Sequence, residues 1–295
     1  MFKNIKAPEF PVELQWFNSG PLTMAGLKGK AVLIDFWTYS CVNCLRALPY
    51  LKRWHELYAV RGLVIIGVHA PEFEFEKNSS NVKRAIKEFE IKYPVVLDSD
   101  YLIWSLYSNN AWPRKFLINK EGRIIYDHAG EGDYEETEAA IQQALLEINF
   151  NLKLPLIEKV AGTGGICYPA TPEIYLGSLR GRSGKIWNYE GDWKVYSEFI
   201  EHQNKSRDFS ASGGKDFILL NFESFEVNLV AGIKDGESAE LKLELDGQPV
   251  DILKVQDYKM YNLLRFKDFR RGQLKIYCNS DNVRAFAFTF GGCKE

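Results

Sequence analysis

Two short apolar runs, Ala31–Trp37 (AVLIDFW) and Leu63–His69 (LVIIGVH), flank a segment, Cys41–Val60, in which Leu45, Leu48, Leu51, Trp54, Leu57 and Tyr58 recur at helical spacing. A nearly unbroken apolar run of this length is what a strand covered on both faces looks like. Parallel neighbours need a crossover, and the crossover packs on the sheet as a helix. The pattern therefore predicts a βαβ unit. Pro49 lies inside the helical stretch, lacks an N–H and is expected to kink it.

The rest of the first half extends the unit. Asn78–Glu90 reads as a helix with Ser79 or Ser80 as N-cap, Pro94–Leu97 as a short strand, and Tyr101–Tyr107 as a helical turn. Lys115–Asn119 and Arg123–Ala129 flank Lys120-Glu121-Gly122 as a hairpin, and Tyr134–Ile148 is an amphipathic helix. Hairpin strands run antiparallel, so the central α/β sheet is mixed. Residues 1–30, broken by Pro8, Pro11, Gly20, Pro21, Gly26 and Gly29, read as an extended lead-in with a strand near Leu14–Phe17.

After Asn149 the character changes. Residues 151–172, rich in Pro and Gly, read as a linker or an irregular segment. Beyond them Lys194–Glu198, Phe217–Phe222, Phe225–Ala231, Ala239–Leu245, Met260–Phe266, Gln273–Tyr277 and Arg284–Phe290 alternate apolar with polar, separated by turns such as Lys234-Asp235-Gly236 and Asp246-Gly247. That spacing predicts an all-β antiparallel sandwich. The expected organisation is an α/β domain over 1–150, a connection over 151–172 and a sandwich over 173–295, in keeping with a 295-residue chain.

With 37 Lys+Arg against 39 Asp+Glu and no basic cluster, the chain is not a nucleic-acid binder by bulk charge. No apolar run approaches the ~20 residues that span a bilayer, and no secretory signal opens the chain. The expectation is a cytoplasmic protein; the alternative is the soluble part of a longer chain lying outside the cytoplasm.

Five cysteines are too few for a disulfide scaffold, and an odd count leaves at least one unpaired. Cys167, Cys278 and Cys293 have no motif, and Cys278, at a strand end, reads as a buried small hydrophobe. Cys41-Val42-Asn43-Cys44 is different. A structural zinc site needs four N/S ligands, and neither a second CxxC nor a His-x₃₋₅-His is present. The pair follows a buried strand and opens a helix. There, unpaired N–H groups and the helix dipole stabilise a thiolate at Cys41, while Cys44 lies one turn inside, within disulfide reach. An exposed thiolate attacks a partner disulfide and the inner thiol resolves the mixed disulfide.

Asp35, polar in the middle of an apolar strand, is expected to titrate high and to relay the proton of the inner cysteine. Trp37 packs beneath the motif. A cis bond at Trp112-Pro113 would leave the backbone before the hairpin free to pair with an extended substrate.

The run VLIDFWTYSCVNC, with Pro49 in the helix and Trp112-Pro113 before the hairpin, resembles thioredoxin-fold proteins of the TlpA/redoxin type. The strings GVHAPEFEFEK, NNAWPRKFLI, GEGDYEETEAAI, TPEIYLG and RAFAFTFG are similar to the soluble C-terminal part of DipZ-type cytochrome c biogenesis proteins. The resemblance implies a thiol–disulfide oxidoreductase with Cys41 as attacking thiol, Cys44 as resolving thiol, Asp35 as buried acid and Pro113 as cis-proline. It implies no cofactor beyond the redox-active Cys41–Cys44 disulfide, and no metal. It also implies a sandwich like a carbohydrate-binding module, a protein disulfide or dithiol as substrate, and an upstream electron donor, either a CcdA-like membrane carrier or a thioredoxin system. Relatives of the DipZ type carry membrane helices before this region. Ser40 stands where thioredoxin has Trp, and Val42-Asn43 where it has Gly-Pro.

Trp37, Ser40, Trp112 and Glu131 (in the GEGD loop) are the expected substrate contacts. Other chemistries have a partial signal. Thr38-x-x-Cys41 evokes a thiol peroxidase, but Ile34 stands where a peroxiredoxin places Pro. His69 with the cysteines could hold copper, although copper carriers use CxxxC; the simpler reading is a polar strand end. Glu72, Glu74 and Glu76 read as a solvated acidic strip. Trp187, Tyr189, Trp193 and Tyr175 are either sandwich core or a sugar-stacking platform, and the rival to the enzyme is a module whose sandwich binds a glycan or a protein.

Overall fold

The computed structural model describes residues 5–158, 167–203, 216–235 and 238–293. Gly162, Gly164 and Gly165 of the expected connection, and Gly236 of one expected turn, lie outside the described residues. Two compact units emerge, residues 1–161 and 162–295.

Unit 1 runs β1 (Ile5–Lys6), β2 (Trp16–Phe17), β3 (Ala31–Trp37), α1 (Val42–Tyr58), β4 (Leu63–His69), α2 (Ser79–Glu88), β5 (Val95–Leu97), α3 (Leu102–Leu106), β6 (Arg114–Ile118), β7 (Arg123–Ala129) and α4 (Tyr134–Ile148). The sheet order is β1-β7-β6-β3-β4-β5-β2. β3 pairs in parallel with β4, and β4 with β5, while β6 and β7 are antiparallel, so the sheet is mixed. Side chains alternate across β3 as a pleat requires. Ala31, Leu33 and Trp37 join the core under α1, α2 and α4. Val32, Ile34 and Phe36 join Ile103 and Tyr107 on the opposite face. Asp35 shares the first of these faces, beneath the start of α1. The cap of α2 is Asn78, whose side chain accepts from Ser80 N–H, rather than Ser79 or Ser80; Asn caps as well as Ser does.

Unit 2 contains β8 (Ile174–Tyr175), β9 (Trp187–Glu190), β10 (Trp193–Val195), β11 (Ile200–His202), β12 (Phe217–Ile233), β13 (Ala239–Leu245), β14 (Gln248–Val255), β15 (Lys259–Cys278) and β16 (Val283–Gly291). Its strands are all antiparallel, in the order β10-β11-β16-β12-β15-β13-β14, with β8 on β16 and β9 on β12. β9 pairs with Phe217–Leu220 and β16 with Glu226–Ile233, so different halves of β12 serve different neighbours. Residues from both halves enter a single apolar core. A sheet whose ends share one core has folded over on itself, which is the sandwich arrangement. Two expected strand pairs are single strands: Phe217–Phe222 with Phe225–Ala231 is β12, and Met260–Phe266 with Gln273–Tyr277 is β15. The polar residues between them sit at a bulge and on exposed strand, not in turns. No helix among the described residues is long and apolar enough to cross a membrane.

Candidate active site

Cys41 is the N-cap of α1, with extended backbone (φ −85°, ψ 115°), and its sulfur accepts the Cys44 N–H at 3.3 Å. It is half-buried, and its Sγ lies 4.0 Å from the Trp112 carbonyl oxygen. Cys44, one turn inside, is buried. Burial, the Cys41 thiol and the nearby Asp35 push its thiol well above the usual cysteine range. The two sulfurs therefore occupy different environments, one open and one enclosed. Both cysteines are free thiols.

Strand pairing places Asp35 between Gly67 of β4 and Lys115 of β6. Asp35 is 1% exposed and its Oδ1 has no hydrogen-bond partner among the described residues. Burial raises its carboxyl to about 7 against the downward pull of the Lys115 ammonium. Trp37 is fully buried, edge-on to His69 at 5.2 Å between ring centres.

The Trp112–Pro113 peptide is cis. Trp112 is half-buried; its indole N–H donates to the Ala70 carbonyl (3.0 Å) and its ring lies 4.3 Å from that of Trp104. The Pro113 carbonyl accepts from Gly130 N–H at 2.7 Å, which ties this loop to the GEGD loop. There Glu131 lies 3.6 Å from Arg46 of α1. Trp112, Pro113 and the Cys41 sulfur are thus brought together, while Trp37 and Ser40 sit behind the cysteines in the interior.

Ser40 faces a residue whose placement corrects the solvated-strip reading. Glu76 is fully buried and accepts from Ser40 N–H (3.2 Å), Ser40 Oγ–H (2.7 Å), Glu72 N–H (2.5 Å) and Phe73 N–H (3.1 Å). Burial lifts its carboxyl to about 7 even though these donors favour the charged form. Glu76 thereby pins the residue immediately before Cys41. His69 is also buried; Thr38 Oγ1 lies 3.5 Å from its Nε2, its ring stacks on Tyr39, and burial lowers it to about 3, so it is neutral at pH 7.

In unit 2, Trp187 and Trp193 are core residues, 4% and 8% exposed, and Tyr175 lies under the Arg180 guanidinium at 3.8 Å. These aromatics do not form an open platform. Cys167 and Cys293 form a disulfide, and Cys278 is buried with its thiol pushed up to about 12.

Comparison with known proteins adds the following. The redoxin family profile matches residues 4–145, and a profile described as a thioredoxin-like C-terminal domain matches residues 183–291. Protein DipZ of Mycobacterium tuberculosis is 34% identical over 266 residues, covering 80% of this chain and 37% of DipZ. The chain thus spans little more than a third of that relative. The thiol–disulfide oxidoreductase ResA of Bacillus cereus is 32% identical over 122 residues, covering 41% of this chain and 68% of ResA. The chloroplastic protein Suppressor of Quenching 1 of Arabidopsis thaliana is 37% identical over 139 residues, 47% of this chain and 13% of that protein.

Proposed function

The chain belongs to the redoxin-type thiol–disulfide oxidoreductases, and from that premise we propose that Cys41 and Cys44 are its redox pair, exchanging a disulfide with a protein substrate. The observation that carries this reading is the contrast between the sulfurs: Cys41 capping α1 and reachable, Cys44 enclosed above Asp35. In the reducing direction, Cys41 attacks one sulfur of the substrate disulfide. A Cys41–substrate bond forms, the substrate S–S bond breaks, and its other sulfur leaves as a thiolate. Asp35 takes the Cys44 proton, and the Cys44 thiolate attacks the Cys41 sulfur. The Cys41–Cys44 bond forms, the mixed disulfide breaks, the substrate has gained two electrons and the pair has lost two. The reverse sequence oxidises a dithiol. Trp112 and Pro113, beside the Cys41 sulfur, and Glu131, on the loop bonded to Pro113, are assigned to substrate contact, with extended polypeptide laid along the Trp112–Pro113 backbone. Trp37 and Ser40 support the site from behind.

The Cys167–Cys293 disulfide supports a location outside the cytoplasm, since such bonds persist in oxidising compartments. A CcdA-like membrane carrier is then the electron donor, in preference to a cytosolic thioredoxin system. A glycan or peptide partner of unit 2 is assigned to the groove of about 740 Å³ that runs past Pro172, Lys185, Asn221, Phe222 and Gln273, where hydrogen-bonding side chains meet an apolar floor.

The test is trapping. Incubated with oxidised insulin, Cys44→Ser should accumulate a mixed disulfide through Cys41, and Cys41→Ser should accumulate none. Full insulin-reductase activity in both variants would overturn the assignment.

A further inference from the structure

The strand that follows the Trp112–Pro113 loop carries a second enclosed ionisable group. Lys115 of β6 is directly opposite Asp35 of β3 in antiparallel register, so both side chains project from the same sheet face with Cβ atoms about 5 Å apart. Lys115 is fully buried, and its Nζ has no hydrogen-bond partner among the described residues. It lies over the Tyr134 ring, 5.7 Å from the ring centre. A lysine with neither water nor a hydrogen-bond acceptor is costly unless an opposite charge compensates it. The other ionisable groups that interact with Asp35 are Cys44 of α1, Tyr93 before β5 and Tyr134 of α4; Cys41 acts on Cys44, Tyr50 and Glu131 act on Tyr134, and His128 of β7 pairs with Lys115 on its far side. On the β4 side the neighbour is Gly67, which carries nothing.

We propose that Lys115 is a positioning residue of the redox reaction: its enclosed ammonium, fixed beside Asp35 by strand register, favours the ionised form of that carboxyl, the form that can take the Cys44 proton. This rests on the reading of Asp35 given above. Burial alone drives Asp35 toward the neutral acid, and Lys115 opposes that drive. A neutral acid cannot accept a proton. Without the ammonium the resolving step must wait for a higher pH.

The experiment follows the Asp35 carboxyl band by infrared titration of the reduced 295-residue chain, with Asp35→Asn to identify the band. Lys115→Met keeps the aliphatic stem and removes the charge; Lys115→Gln is the polar substitute if the Met variant does not fold. The expected result is an Asp35 midpoint moved up by at least about one pH unit. The acid limb of the pH–rate profile for insulin reduction should move by the same amount, a loss of about fivefold or more at pH 7. A merely structural role would lower the rate equally at every pH and leave the midpoint in place. An unmoved midpoint in the charge-free variant overturns the proposal. A pH–rate profile that Asp35→Asn does not alter overturns instead the role given to Asp35, and with it the consequence for Lys115, even where the infrared midpoint shifts.

Discussion

A carboxyl enclosed on the central strand makes the fold weaker as pH rises. The Asp35 carboxyl, ordinarily near 3.8, holds its proton to about 7 in the folded protein. Between those values the folded state binds more protons than the unfolded one, so stability falls with pH across that window and levels off above 7. Asp35→Asn should remove the Asp35 share of the slope and leave that of the buried Glu76, also raised to about 7. Its urea midpoint should match the parent's near pH 4 and exceed it at pH 8. The gain there should reach up to about 4 kcal/mol, because each pH unit between the unfolded and folded midpoints is worth about 1.4 kcal/mol. A gap that does not widen with pH would mean that Asp35 is not held neutral. Asp35 was legible in the sequence because one acid interrupts an apolar run. Glu76 was not. The alternation Glu72-Phe73-Glu74-Phe75-Glu76 looks like an exposed strip, but Glu74–Lys77 is a 3₁₀ turn, which places residues three apart on one side. Phe73 and Glu76 therefore turn inward together, 2% and 0% exposed. Lys115 was not legible either, since a lysine as the first residue of the expected strand Lys115–Asn119 carries no local sign of burial.

Elements whose periodicity is set by one contiguous core could be read directly. Ala31–Trp37, Leu63–His69, Arg123–Ala129 and Tyr134–Ile148 begin and end where the apolar pattern does, as does Ala239–Leu245 in unit 2. β12 and β15 could not, because a strand that outruns its buried half continues through polar residues that local pattern cannot distinguish from a turn. β8 was missed for another reason: its two residues are held by neighbours distant in sequence. Past its end, Ser178 N–H and Leu179 N–H donate to the carbonyls of Tyr196 and Ser197, both at 2.8 Å. At this approach a Cβ on Gly177 would overlap the Ser197 carbonyl oxygen and the Glu198 backbone, which have no flexible end to move aside. Gly177→Ala should therefore lower the unfolding midpoint of unit 2, at a cost of about 1–3 kcal/mol. Gly184→Ala, with nothing within 4 Å of its new methyl, should be close to neutral. Equal effects from the two would show that backbone entropy, and not the close approach, governs both.

For the whole molecule, the cysteine pairing bears on stability and supplies the test of the proposed compartment. Three cysteines without a motif left Cys167, Cys278 and Cys293 unpairable from sequence, because the pairing depends on where a sandwich brings its ends. Cys278 is spent in the core of unit 2, where it is 6% exposed. Cys167 and Cys293 are bridged across a sequence separation of 126 residues. Closing so long a loop restricts the unfolded chain strongly, and on the loop-entropy account the bridge contributes about 4–5 kcal/mol, with about 2–5 the usual range when a native bridge is removed. Replacing both cysteines by serine should therefore speed hydrogen exchange throughout β12, β13 and β15, core strands expected to exchange only through global unfolding. With Cys44→Ser added, this variant should still accumulate the mixed disulfide through Cys41 in the trapping assay. The compartment is tested on protein alkylated in place before extraction: peptide mapping should recover Cys167 joined to Cys293 and Cys278 alkylated only after denaturation. Recovery of Cys167 and Cys293 as separately alkylated thiols from freshly lysed cells would mean that the protein resides where glutathione and thioredoxin keep thiols reduced, and the membrane carrier would give way to a cytosolic donor.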